Sequence, residues 1–162
     1  MMAKVYIILG GNLGDRMKNL ELARNLIGDK IGPVVSCSSI YETEPWGFVS
    51  EKLFINQAVE IDTVLTPLEI LQCIKMIEEE LGRTRGVERY MERTIDIDIL
   101  FYDYIVTETQ ELTIPHPEMA KRRFVLEPLA EIAPEMIHPV LKKLVKELLV
   151  ECTDSCKVAR IN

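Results

Sequence analysis

Residues 93–100 read RTIDIDIL, and this stretch constrains the fold more than any other. Side chains alternate across a strand, so Asp96 and Asp98 share one face while Ile95, Ile97 and Ile99 share the other. The two aspartates are then roughly 6.6–7 Å apart along the strand. Carboxylates that close repel each other, and each is costly to desolvate unless a cation or an arginine compensates. The chain therefore has to build a strand with a greasy side and a twice-acidic side, and to give the acidic side a purpose.

The surrounding pattern says what that strand joins. Residues 4–10, KVYIILG, are a run of Val, Ile and Leu that predicts a buried strand. GNLGDR is turn chemistry leading into a helix over 17–27, where Leu20, Ala23, Leu26 and Ile27 recur at helical spacing and Gly28 or Gly32 stops it. PVVSCSSIYETEPWG starts extended at Val34 and breaks at Pro45 and Gly47. LFINQAVEIDTV is a further strand, with Phe54, Asn56, Ala58 and Glu60 on one face and Ile55, Val59 and Ile61 on the other. The next helix has Thr66 as N-cap, Pro67 at its first position and Glu69 completing a capping box, with Gly82 as its end. Leu71, Ile74 and Leu81 fall on one stripe of it, and Glu78 falls there too, either at the edge of the stripe or aimed into a site. After the aspartate strand come a hairpin-like excursion ending at Pro115-His116-Pro117, a short helix in FVLEPLAEIAP and an amphipathic helix over 140–150.

Strand, helix, strand, strand, helix, strand is the split βαβ order of an α+β ferredoxin-like sandwich: an antiparallel sheet on a βαββαβ core, its helices on one face, with C-terminal helical additions. The other face is then free for a site. At 162 residues, with no linker or repeat, one domain over 1–162 is expected.

Composition excludes several classes. A net charge of −7 argues against a general nucleic-acid binder. No apolar run approaches the roughly 20 residues of a membrane span. Cys37, Cys73, Cys152 and Cys156 make no zinc-type pair, and neither His116 nor His138 is spaced with them as a ligand. Reduced thiols fit the cytoplasm. No apolar surface stripe is left over, so a monomer is the default.

Against the acidic total, GRTRGVERYMER places Arg83, Arg85, Arg89 and Arg93 within eleven residues, just ahead of the acidic pair. Such a patch on an acidic protein suits a small polyanion. Arginine grips phosphate bidentately; magnesium takes one or two carboxylates together with phosphate oxygens. GGNLGD is neither a Rossmann nor a P-loop signature and is read as a strand-to-helix turn. Trp46, between Pro45 and Gly47, is either a stacking surface for a flat ring or a cap on the core. Asn56 can read the edge of a heterocycle or satisfy backbone.

RYMERTIDIDIL resembles the signature of the 6-hydroxymethyl-7,8-dihydropterin pyrophosphokinase family, whose core is R-x-x-D-[LIV]-D-[LIVM]-[LIVM]. GGNLGD, YETEPWG, FINQAV, ELGRTR, LTIPHP and RRFVLEPLAEIAP match further blocks of that family in order and spacing, from about Tyr6 to Pro139. Met91 departs from the signature, which usually has Gly or Ala there, and Phe54 stands where some members have Tyr.

The resemblance implies a ferredoxin-like fold and transfer of the β,γ-diphosphate of ATP to the hydroxymethyl group of the reduced pterin, releasing AMP, with two magnesium ions. Carried over by position, Asp96 and Asp98 hold the metals, and Arg83 and Arg93 are the catalytic arginines. The ATP site comprises Glu78, Arg83, Arg85, Arg93, Ile99, Thr113, His116 and Arg122. The pterin site comprises Thr43, Pro45, Trp46, Phe54, Asn56, Asp96 and Phe124, with Phe124 stacking on the ring. A regulatory ferredoxin-like module would explain the sheet and the acidic pair, but not arginines beside them together with an aromatic pocket. A different two-metal enzyme, such as a phosphodiesterase, would usually need more carboxylates or histidines than one D-x-D provides.

Overall fold

The computed structural model describes residues 1–44, 53–82 and 94–162. Its main sheet contains β1 (Ala3–Gly11), β2 (Val34–Cys37), β3 (Tyr41–Thr43), β4 (Phe54–Thr63), β5 (Asp96–Tyr102) and β8 (Val158–Arg160). The strand order is β5-β1-β4-β3-β8, with β2 also paired to β4, and every pairing is antiparallel. The second strand expected of the fold is thus split into β2 and β3. Ser38 fills the break: its hydroxyl accepts from Ala58 N (2.9 Å), and its carbonyl accepts from Gln57 Nε2 (2.7 Å). A short hairpin, β6 (Thr107–Glu108) and β7 (Thr113–Ile114), forms the predicted excursion.

Helices α1 (Arg16–Lys30) and α2 (Pro67–Glu80) cover one face of the sheet. Between them and the sheet lies a core of Val5, Ile7, Leu9, Leu20, Ile27, Ile55, Ile61, Ile70, Ile77, Ile97 and Ile99. Asp15 caps α1, accepting from Lys18 N at 3.1 Å. Gly28 does not stop this helix. A Cβ there would meet nothing, so the position is merely a weak helix former on the open side, and α1 continues to Lys30. The Thr66–Glu69 capping box on α2 forms in both directions, at 3.3 and 2.9 Å. Gly82 follows the helix at φ +98°, a conformation open to glycine. The buried stripe of α2 is Ile70, Ile74, Ile77 and Glu78, with Leu71 and Leu81 only half-buried, so the helix is rolled slightly from the expected orientation.

The opposite face is not wholly free. Helix α3 (Arg123–Ile132) packs over part of it, burying Val125, Leu129 and Ala133 with Tyr6, Ile8, Ala58, Leu100, Phe101 and Met119. A one-residue register shift in β5 makes this possible. Ile7 pairs with Ile99 but Tyr6 pairs with Phe101, so Leu100 is an extra residue and both Leu100 and Phe101 enter the α3 core. The tail helix α4 (Val145–Glu151) starts later than its periodicity suggested, because residues 139–141 turn and Lys142 takes φ +59°. The tail also adds β8, so the C-terminal additions are not purely helical. The four thiols are unbridged; Cys37 is exposed and the others are half-buried. Among the described residues, no helix is long and apolar enough to cross a membrane.

Two predictions come from this packing. A Cβ on Gly32 would lie 2.0 Å from the Asp62 carbonyl oxygen and 3.2 Å from Thr63 Cα, both backbone atoms that cannot swing aside. Gly32→Ala should cost about 1–3 kcal/mol and lower Tm by several degrees in a thermal melt. An unchanged Tm would mean the β4 end yields freely. The second concerns His138, which is 5% exposed and set edge-on to Phe101 at 5.6 Å. Its Nδ1 accepts from Val140 N (3.2 Å) and Leu141 N (3.0 Å). Burial holds its pKa below the ordinary value. A depressed folded pKa means the unfolded chain binds the proton more readily. The His138 contribution is therefore complete above about pH 6.5, the unfolded value, and is lost as pH falls toward the folded pKa. Tm should drop as pH falls below about 6.5, and His138→Asn, which keeps an acceptor but cannot charge, should flatten that slope.

Candidate functional site

Among the described residues, the part of its sheet face that α3 leaves uncovered is the end of the sheet where β5 begins. Residues opposite one another across strands share a face, and the register sets out two rows. Tyr41, Asn56, Gly10 and Asp96 form the outer row; Ala58, Ile8 and Asp98 form the inner one. Asp96 and Asp98 do project together, both half-buried, on the face away from α1 and α2. The inner row runs straight into the α3 core through Ile8 and Ala58, so the acidic pair stands at the border between packed and open surface.

Glu78 settles between its two readings in an unexpected place. It is 7% exposed, and its Oε2 accepts from Ile97 N at 3.0 Å. Ile97 is the residue between the two aspartates, and β5 ends the strand order among the described residues. Glu78 thus fixes the backbone of the D-x-D segment from the side away from β1. Ile99 contributes no side chain to this face: it is 4% exposed within the α1/α2 core, so any contact it makes with a ligand is by backbone.

Asn56 and Thr43 are almost fully buried, and Asn56 Nδ2 donates to Thr43 Oγ1 at 3.4 Å. Thr43 pairs with Phe54, bringing three of the expected pterin residues into one corner. Gly10, not singled out by the sequence, makes this corner possible. A Cβ there would lie 2.5 Å from Asn56 Oδ1, so the Asn56 amide lies across Gly10 toward the Asp96 end of the row. Asn12, 2% exposed just past β1, is a further buried polar group that the turn reading missed. The signal for both was available: a glycine pair and an amide ending a buried strand.

From behind, Arg16 supports the same corner, donating to Glu42 Oε2 (2.7 Å) and to Leu53 O (3.0 Å). Beneath Asn56, Tyr41 donates to Glu131 Oε1 at 2.6 Å, and Glu131 also accepts from Ser39 N and Oγ. Burial and this bond push the Tyr41 phenol up to about 12. Burial opposes ionisation of Glu131, but the Tyr41 and Ser39 donors outweigh it and hold that carboxyl below its usual range.

Of the residues expected at the ATP site, Thr113 lies on β7, and His116 N donates to Leu100 O (3.1 Å). His116 Nδ1 accepts from Glu118 N (3.1 Å), so the neutral ring carries its proton on Nε2. Arg122 places its guanidinium 5.8 Å from the Phe124 ring centre, a cation–π distance. Both residues are half-buried at the start of α3, with Phe124 against the α3 core. Pro45, Trp46, Arg83, Arg85, Arg89, Met91 and Arg93 lie outside the described residues.

The fold and this face define a ferredoxin-like α+β protein with an acidic pair suited to metal-bound phosphate beside a polar and aromatic corner suited to a flat heterocycle. A family profile described as 7,8-dihydro-6-hydroxymethylpterin-pyrophosphokinase matches residues 6–134. The chain is 45% identical over 143 residues to a 2-amino-4-hydroxy-6-hydroxymethyldihydropteridine pyrophosphokinase of Porphyromonas gingivalis, covering 85% of this chain and 95% of that one. It is 48% identical over 132 residues to the protein of the same name in Bacillus subtilis, covering 81% and 78%. Its fold resembles a crystal structure of Plasmodium falciparum HPPK-DHPS with pteroate, with a TM-score of 0.77 and 21% identity, over 93% of this chain and 42% of that longer one. The chain belongs to the 7,8-dihydro-6-hydroxymethylpterin-pyrophosphokinase family.

Proposed function

We infer that this chain is a 6-hydroxymethyl-7,8-dihydropterin pyrophosphokinase of folate biosynthesis. It transfers the β,γ-diphosphate of ATP to the pterin hydroxymethyl group and releases AMP. The observation that carries this reading is the family match over 6–134 combined with an acidic pair projecting on the open sheet face.

The donor set fits magnesium. Asp96 and Asp98 offer oxygens only, and among the described residues no group of three or more His, Cys, Asp or Glu converges. Two protein carboxylates with the remaining positions left to phosphate oxygens and water is how magnesium is commonly held. Asp96 and Asp98 would hold two ions, which when bound supply charge neutralisation of the triphosphate and polarisation of the pterin hydroxyl.

The other roles belong to the chain itself. Asp96 shares its row with Asn56, which makes it the nearer base for the hydroxyl proton. Asn56 and Thr43 read the amide and amino edge of the pterin, with Phe124 on the ring face and Phe54, Pro45 and Trp46 around it. Arg83 and Arg93 offset the charge that develops as AMP leaves; Arg85 and Arg122 hold the polyphosphate. Thr113, His116, the Ile99 backbone and the Glu78 region line the rest of the ATP site. Most of the acceleration then comes from in-line positioning at the β-phosphorus and from charge neutralisation. The unbridged thiols are consistent with a cytoplasmic protein, and it acts as a monomeric single domain.

The test is to incubate the protein with magnesium-ATP, with and without the hydroxymethyl pterin. AMP formed only with pterin is the expected result. Hydrolysis without the acceptor, or no nucleotide turnover at all, would overturn the assignment.

A further inference from the structure

Residues 135–162 lie beyond the family match, yet they reach the site from two sides. Asp154 is where they do so. Its Oδ2 accepts from Arg123 N at 2.9 Å, and its carbonyl accepts from Arg123 Nε at 3.0 Å. Arg123 also donates to Cys152 O at 3.1 Å. Arg123 is the first residue of α3, between Arg122 and Phe124, and α3 has no side-chain cap from its own N-cap residue. Asp154 supplies both the acceptor and the negative charge that a helix start favours.

The other oxygen turns back onto its own loop. Asp154 Oδ1 accepts from Cys156 N at 2.9 Å. Cys156 Sγ contacts the Glu44 carbonyl at 3.7 Å, and Val158 then pairs with Thr43 in the β8–β3 ladder. The carboxylate therefore ties the start of α3, which bears Arg122 and Phe124, to the loop leading into β8, and that loop and strand adjoin the segment bearing Thr43.

We propose that Asp154 is a positioning residue for the pterin: it sets the spacing between Phe124 on α3 and Thr43 on β3, the two walls that hold the ring. It touches no substrate and acts through Arg123 and Cys156. The proposal rests on the reading of Thr43 and Phe124 as pterin contacts given above.

The test has two arms. In ligand-free protein, Asp154→Ala should raise amide hydrogen exchange about tenfold or more both at Arg123–Val125 and along β3. A rise at the α3 start alone would overturn the coupling. In steady-state kinetics well below Tm, Asp154→Ala should raise KM for the pterin about tenfold while KM for ATP stays within about twofold. Asp154→Asn, which keeps one acceptor oxygen and is the milder change for folding, should fall between. A lowered Tm with both KM values unchanged would reduce Asp154 to a stabilising residue and overturn the proposal. Wild-type protein that released no AMP would sink the functional reading instead, and the exchange arm would still decide whether Asp154 couples the two walls.

Discussion

Asp98→Ala should abolish magnesium-dependent pyrophosphoryl transfer while leaving the protein folded. Asp98 ends the inner row, where the α3 core gives way to open surface, and it is only half-buried. Its removal leaves no cavity in either core. It also relieves the repulsion between two acids on one strand face. Tm should therefore stay within a few degrees of the parent. On the proposed reading, catalysis loses half of the metal-holding set. Several kcal/mol of transition-state charge stabilisation, at about 1.4 kcal/mol per tenfold, amounts to a fall in kcat of roughly 10³ or more. AMP release under saturating substrates measures it. A rate within a few-fold of the parent would remove Asp98 from the metal site.

Gly10→Ala should separate pterin recognition from nucleotide binding. The added methyl would lie 2.5 Å from Asn56 Oδ1 and 3.4 Å from Ile55 O. The Asn56 side chain has to move, and at 3% exposure it cannot move into water. Its 3.4 Å bond to Thr43 is lost with it. A site that reads hydrogen-bonding edges discriminates strongly when its own buried polar groups are left mismatched. The expected loss is about a hundredfold in kcat/KM for the pterin, near 3 kcal/mol, with KM for ATP little changed. Varying both substrates separately tests this. Equal losses on both would mean that the methyl disturbs Asp96 rather than Asn56.

Much of the architecture was legible because it is local. The Thr66–Pro67–Glu69 start of α2 depends on four consecutive residues. The shared face of Asp96 and Asp98 depends only on strand period. The split strand, the β5 register shift and β8 were not legible, because each depends on a partner far along the chain. Ser38 has to meet Gln57 and Ala58, Leu100 has to meet α3, and Val158 has to meet Thr43. Gly10 escaped for a different reason: its contribution is an absent side chain, which shows only once Asn56 lies across it. Helical spacing left Glu78 between the edge of the stripe and a site, and cannot reveal that its acceptor role falls on Ile97. The arginine-rich stretch and the Trp46 stretch were read from charge, ring chemistry and the family resemblance, and lie outside the described residues.

The doubled position at Leu100 bears on how this strand can evolve. Before it, even-numbered side chains lie on the α3 face; after it, parity inverts, so that Phe101 can sit under α3 while Tyr102 turns back beneath α2. The strand is locked in phase at both ends. A single slip along β1 would drive either the acids or the aromatic ring into the wrong environment. Insertions and deletions should therefore accumulate in the flanking loops and be purged between Asp96 and Tyr102, which holds the acidic pair at constant depth before any ligand arrives.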